Sequence, residues 1–129
     1  MKASELNLLF AGVETGARLS LSIRPEVDNY VNLLKKKGAS IQIVLHEDED
    51  IVVDQESLTN LLRSVLVGHL SIADLAYICD GLTLCERVDF TCEDIKNMIF
   101  DFSDPEINGD FADLGHVKSL LAQWEGKSI

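Results

Sequence analysis

Residues 54–84, DQESLTNLLRSVLVGHLSIADLAYICDGLTL, decide the architecture. Leu58, Leu61, Leu62, Val65 and Leu66 fall at i, i+3, i+4, i+7 and i+8, the spacing that lays one apolar stripe along a helix. Asp54 stands where an N-cap is wanted and Gly68 where the helix should stop. Ser71 and Asp74 then have the form of a capping box, in which each side chain satisfies a backbone N–H left unpaired by the first turn. Ile72, Leu75, Ala76 and Cys79 continue inward as far as Gly81. Two consecutive amphipathic helices are predicted.

Towards the C-terminus, Val88 and Phe90 flank Asp89 as a short extended piece. Thr91 with Asp94 opens a further helix whose buried side should be Ile95, Met98, Ile99 and Phe102. The pair Asp104-Pro105 forces a break, because the residue before a proline is pushed out of the helical region. A last helix is predicted over 114–124, with Val117, Leu120, Leu121 and Trp124 on one face. In the N-terminal third, Leu6, Leu9, Phe10 and Val13 have helical spacing, although Gly12 and Gly16 weaken such a helix and a strand there is also open. Leu19, Leu21 and Ile23 alternate with Ser20, Ser22 and Arg24, the period of a half-buried strand. Pro25 is placed to open a helix, where its missing N–H does no harm. Val27, Tyr30, Val31 and Leu34 line that helix, Lys35, Lys36 and Lys37 suit its last turn, and Gly38 stops it. Ile41, Ile43 and Leu45 alternate as a second strand. The expected fold class is α+β: a small N-terminal sheet with a mainly helical C-terminal half, in one globular domain over residues 1–129.

At 129 residues such a domain buries roughly two-thirds of its unfolded surface, enough for a core of its own. A hydrophobic content of 47% excludes a disordered acidic tail. Residues 1–12 carry Lys2 and a short apolar patch, but Glu5 and Asn7 interrupt it, so no secretory signal is read. No stretch approaches the ~18 apolar residues of a membrane span. A soluble, cytoplasmic protein with no membrane partner is expected. Cys79, Cys85 and Cys92 are odd in number, and their spacings of six and seven match neither CxxC nor the usual zinc patterns. They read as small apolar residues, and neither a metal nor another cofactor is expected.

The distribution of charge is the strongest pointer to a role. Residues 46–56, HEDEDIVVDQE, hold six acids and no Lys or Arg. Residues 86–113, ERVDFTCEDIKNMIFDFSDPEINGDFAD, hold nine acids against Arg87 and Lys96. These two stretches carry 15 of the 22 Asp and Glu residues and account for more than the whole net charge of −11. A field of one sign attracts partners of the other.

Several chemistries can be set aside. Asp104, Glu106, Asn108 and Gly109 resemble the start of a calcium loop, but position 12 is Gly115 in place of the bidentate Glu, so a turn is the simpler reading. The helices on either side of Gly68-His69 could be read as a helix-turn-helix, yet Arg63 is the one basic residue in the pair and a negative field repels phosphates. Nucleic acid is therefore excluded as a partner. His46, His69 and His116 lie in three different elements and belong to no catalytic motif, so no enzyme is expected.

A cationic protein surface remains as the complement of the acids. Asp48, Glu49 and Asp50 are expected to form one contact segment, and Asp101, Asp104, Glu106, Asp110 and Asp113 the other, together imitating a phosphate array for Lys and Arg of the partner. Phe90, Phe102 and Phe111 are interleaved with these acids, and one of them could serve as a desolvated anchor.

In residues 70–84 (LSIADLAYICDGLTL), 88–90 (VDF) and 104–109 (DPEING), the chain resembles the small bacterial immunity proteins, particularly those paired with toxin domains in contact-dependent growth inhibition. The resemblance covers about 40 of the 129 residues and lies in general character, that of a short acidic α+β chain with this helix-turn cadence and no catalytic motif. It implies a protein that binds a cognate toxin, often a basic nuclease, and blocks its active site or substrate groove. It carries over no binding residue by motif, so the residues named above rest on charge placement alone. The alternative is a regulatory or adaptor module whose apolar helices dock on a protein that is not a toxin, the acids serving solubility only.

Overall fold

The computed structural model describes residues 1–36, 43–103 and 113–125. Among them the chain runs α1 (Ala3–Phe10), α2 (Gly16–Leu34), β1 (Ile51–Val53), α3 (Gln55–Leu66), α4 (Ile72–Leu84), β2 (Val88–Phe90), α5 (Glu93–Phe102) and α6 (Leu114–Glu125). The architecture is mostly helical with one small sheet, broadly α+β. β1 and β2 pair in parallel, with Ile51 opposite Val88, Val52 opposite Asp89 and Val53 opposite Phe90. A parallel pair needs a crossover rather than a tight turn, and α3 with α4 provides it.

The helices form where their buried stripes predict. Leu58, Leu61, Leu62 and Val65 of α3 are buried, and the Asp54 carboxylate accepts the Ser57 N–H at 2.9 Å as the cap. Ser71 and Asp74 make both halves of the capping box on α4. Ile95, Ile99 and Phe102 of α5 and Val117, Leu121 and Trp124 of α6 face inward. These residues join one apolar cluster that draws on all six helices and on β1.

The N-terminal third differs from the sequence reading. Leu19, Leu21 and Ile23 form no strand: they lie within α2, where Leu19, Ile23, Val27 and Tyr30 are buried and Leu21 is 68% exposed. Three apolar residues at alternate positions fit a helix equally well when the middle one faces water. Pro25, expected to open a helix, sits inside α2. An interior proline costs on the order of 3 kcal/mol, and the buried stripe on either side of it outweighs that loss. Ile43 and Leu45 are in no strand, while Ile41 and Gln42 lie outside the described residues. His46 instead makes a single parallel bridge to Lys2. The sheet is accordingly not N-terminal. It joins the middle of the chain to its later part, through the apolar Ile51-Val52-Val53 inside the first acidic stretch. Cys92 rather than Thr91 precedes α5, with no side-chain cap, and α4 runs through Gly81 to Leu84.

A polar strut braces α1, α2 and α4. The Met1 ammonium donates to both Glu26 oxygens at 2.8 and 2.9 Å and to the Val44 carbonyl at 3.2 Å. The Tyr77 hydroxyl donates to Glu26 at 2.8 Å and accepts the Val44 N–H at 3.3 Å. Burial pushes the Tyr77 hydroxyl up to about 12. Tyr30 stands edge-on to Tyr77, centroids 5.3 Å apart, and donates to Asp80.

Gly16, the first residue of α2, lies so close to the α3–α4 turn that a Cβ there would meet Leu70 Cγ at 2.7 Å and Ser64 Cβ at 3.0 Å. At Gly81 the one tight neighbour is the flexible end of Met1, Cε at 2.7 Å. Gly16→Ala is therefore expected to destabilise the fold by about 1–3 kcal/mol through overpacking. Gly81→Ala should be near neutral, since a helical alanine gains roughly 0.5–1 kcal/mol over glycine against a small shift of Met1. Urea unfolding of the two variants checks the order, and equal midpoints would refute it.

Candidate acidic site at the strand pair

The first acidic stretch folds back on the chain it follows. Asp48 accepts the Ser4 N–H at 3.0 Å and the Ser4 hydroxyl at 2.6 Å, which ties it to the first turn of α1. Glu49 accepts the Asn7 side-chain amide at 3.0 Å, and the same amide donates to the Asp50 carbonyl at 2.9 Å. Asp50 takes the Arg87 Nε–H at 2.7 Å. All three acids are exposed; Asp48 engages Ser4 with both carboxylate oxygens, whereas Glu49 and Asp50 each bond through one.

Glu47, which charge patterning did not single out, is the most engaged acid of the group. One of its oxygens accepts the Glu86 N–H at 2.9 Å, the Arg87 N–H at 3.0 Å and the Cys85 thiol at 3.0 Å. The Arg87 guanidinium closes the ring by donating to the Glu47 carbonyl. The two acidic stretches thus meet at residues 47–50 and 85–87, and the strand register carries the contact on to Val52 and Asp89. Nothing in the spacing of the acids announces this. The usable signal was the β-branched run 51–53 beside the extended 88–90, two short pieces whose pairing sequence alone leaves undetermined.

Of the other expected contact residues the structure describes Asp101 and Asp113. Asp101 is exposed on α5 and lines a groove of about 270 Å³ between α5 and α6, with Asp94, Asn97, Met98, Gln123 and Trp124. Asp94 and Asp101 stand seven residues apart, on one face of α5. Asp113 accepts the His116 N–H at 2.7 Å and caps α6. Asp104, Glu106 and Asp110 lie outside the described residues. Of the three aromatics, Phe102 is buried, Phe90 is half-buried against the core and Phe111 is outside the described residues. The structure therefore unites 47–50 with 86–89, a juxtaposition the charge pattern did not specify.

A cavity of about 480 Å³ opens between α2 and the α3–α4 turn and includes Ser20, Arg24, Asp28, His69 and Asp74. Asp74 is committed there to the Ser71 N–H at 2.9 Å and the Ser20 hydroxyl at 2.8 Å. Among the described residues no group of three His, Cys, Asp or Glu side chains is placed to hold a metal ion, and no helix is long and apolar enough to cross a membrane. No protein family, no curated protein and no solved structure matches the chain.

The bonds at the strand pair shift its titration. Glu47 is held below the usual carboxylate range, first by the Cys85 thiol and then by the Arg87 N–H. Asp48 is lowered chiefly by the Ser4 hydroxyl. Unfolding restores their ordinary values of 4.5 and 3.8, so their stabilising contribution is present above those values and is lost as pH falls through the lower folded ones. Urea unfolding between neutral pH and pH 3 should show that decline, and Glu47→Gln should make it shallower; an unchanged slope in the variant would count against the assignment.

Cys85 is pushed up to about 11, by burial first and by Glu47 second. Burial also raises Cys79. A thiol reagent at mildly alkaline pH is expected to label exposed Cys92 first, Cys85 more slowly and Cys79 only on unfolding. Peptide mapping of the labelled sites checks the order.

Proposed function

We propose that this chain is a non-enzymatic binding protein that neutralises a basic toxin domain by occluding it, in the manner of the immunity proteins of contact-dependent growth inhibition. The observation that carries the reading is the convergence of two acidic stretches on the β1–β2 pair. Asp48, Glu49, Asp50, Glu86 and Asp89 are all exposed there, with Arg87 as the local cation, already bonded to Asp50 and Glu47. Glu93 continues the acidic surface onto α5, and Asp101 lies about 12 Å further along that helix at 1.5 Å per residue. A rigid acidic surface of this kind steers a cationic partner into encounter and fixes its register. Asp104, Glu106, Asp110 and Asp113 remain proposed contacts on grounds of charge.

Docking of apolar helices on a different kind of partner is the competing reading, and ionic strength separates the two. Electrostatic association weakens with added salt, whereas an apolar dock is nearly indifferent to it. With the basic C-terminal domain encoded by a neighbouring reading frame as partner, the double reversal Glu86→Lys, Asp89→Lys should slow association by about tenfold or more at low salt and flatten its salt dependence. Stopped-flow association rates measure this, with circular dichroism to confirm folding. Unchanged rate and affinity in the variant would sink the proposal.

A further inference from the structure

The register of the two-stranded sheet determines which backbone groups it consumes. Ile51 N–H donates to the Arg87 carbonyl at 2.9 Å and Thr91 N–H donates to the Val53 carbonyl at 3.1 Å. With Ile51 opposite Val88 and Val53 opposite Phe90, a parallel ladder uses the N–H and C=O of Asp89 between those two bonds. The N–H and C=O groups of Val88 and Phe90 therefore point away from β1. None of these four groups is bonded to a described residue, and β2 is the last strand of its sheet.

Among the described residues, what guards this edge against strand addition is its brevity and its acidic side chains, which repel an acidic strand and admit a basic one. No proline occurs between residues 86 and 92, and the pairing is one-to-one with no bulge. Val88 and Phe90 turn their side chains to the core, so what the edge offers outward is backbone. Its surroundings are charged with one sign. Glu86, Asp89 and Glu93 are exposed along it, and Arg87 is drawn off by Asp50 and Glu47. A second copy of this chain would bring the same three acids against these, which like-charge repulsion opposes. A strand carrying Lys or Arg on its solvent-facing positions meets no such penalty, and its cations would stand beside Asp89.

We infer that the outer edge of β2 accepts an extended, basic segment of the partner as a third strand, bound through the backbone groups of Val88 and Phe90 and selected by Glu86, Asp89 and Glu93. The inference rests on the basic partner proposed above and adds to it the mode of contact. Strand addition draws affinity from main-chain hydrogen bonds and specificity from alternate side chains. The test exploits the same register. Proline at position 88 removes an outward N–H and spares the ladder, whereas proline at position 89 removes an N–H that the ladder uses.

The probe is an end-blocked eight-residue peptide of alternating Lys and Val, with a Glu–Val peptide as the opposite-charge control. At low salt the Lys–Val peptide is expected to slow amide hydrogen exchange at Val88 and Phe90 by about tenfold or more. The Glu–Val peptide should leave exchange there unchanged. Val88→Pro should fold and melt cooperatively yet bind the Lys–Val peptide about tenfold more weakly, while Asp89→Pro should lose the sheet itself. The exchange pattern of the unaltered chain reads the contact even if Val88→Pro fails to fold. Lys–Val binding with protection elsewhere, or undiminished in a folded Val88→Pro, overturns strand addition and leaves the basic-partner reading standing. Equal or tighter binding of the Glu–Val peptide overturns both. Absence of binding by either peptide overturns strand addition, and protection of Val88 and Phe90 by self-association alone overturns the choice of occupant.

Discussion

The pairing of β1 with β2 requires residues 51 and 88 to meet across the whole α3–α4 crossover, and three residue pairs of ladder are little to hold such a closure. Glu47 makes the junction secure. Its carboxylate collects two backbone N–H groups and a thiol from residues 85–87, directly ahead of β2, and Arg87 answers by bonding Asp50 and the Glu47 carbonyl, directly ahead of β1. A carboxylate accepting backbone N–H bonds makes charge-assisted contacts, stronger than neutral ones. Behind this clamp Ile51 and Val53 are fully buried, and α1 is joined to the same loop through Ser4 and Asn7. The N-terminal helix, the sheet and the acidic surface thus share one junction.

The acids of the two stretches divide into two populations by what they touch. Asp54 and Asp113 cap α3 and α6, and Asp48 bonds the first turn of α1, positions where the unpaired N–H groups and the positive end of the helix dipole favour an anion. Glu47 and Asp50 are taken up by the clamp. Much of the negative charge in a chain of net charge −11 therefore has a structural role, which is how a fold with so much potential self-repulsion stays together. Glu86, Asp89 and Glu93 form the second population, exposed at the strand pair with carboxylates that accept no hydrogen bond from a described residue, although the Glu86 N–H serves the clamp. The proposed function rests most directly on these uncommitted acids, a narrower set than the composition indicated.

The legible parts of the sequence were those governed by local rules. Leu58, Leu61, Leu62 and Val65 announced α3, Ser71 with Asp74 announced the start of α4, and Val117 with Trp124 announced α6, because helix periodicity and capping operate within a few residues. Leu19 to Ile23 misled because three alternating residues are too short a sample to separate period two from a helix with one apolar side chain in water. Glu47 was passed over in favour of Asp48, Glu49 and Asp50 because four adjacent acids look alike until Cys85, Glu86 and Arg87 are brought against one of them.

By itself the sequence determined the helical stripes, the caps, the segregation of acid into two stretches and the lack of a recognisable catalytic motif, all properties readable from neighbours along the chain. Only the tertiary structure decided that the first stretch contains a strand, that it pairs in parallel with residues 88–90, and that residues 47–50 meet 86–89. The reason is physical: a strand's hydrogen bonds go to another segment, so partner and register depend on how the intervening helices α3 and α4 pack on the core. A helix satisfies its backbone within its own span, and so its presence could be read one turn at a time.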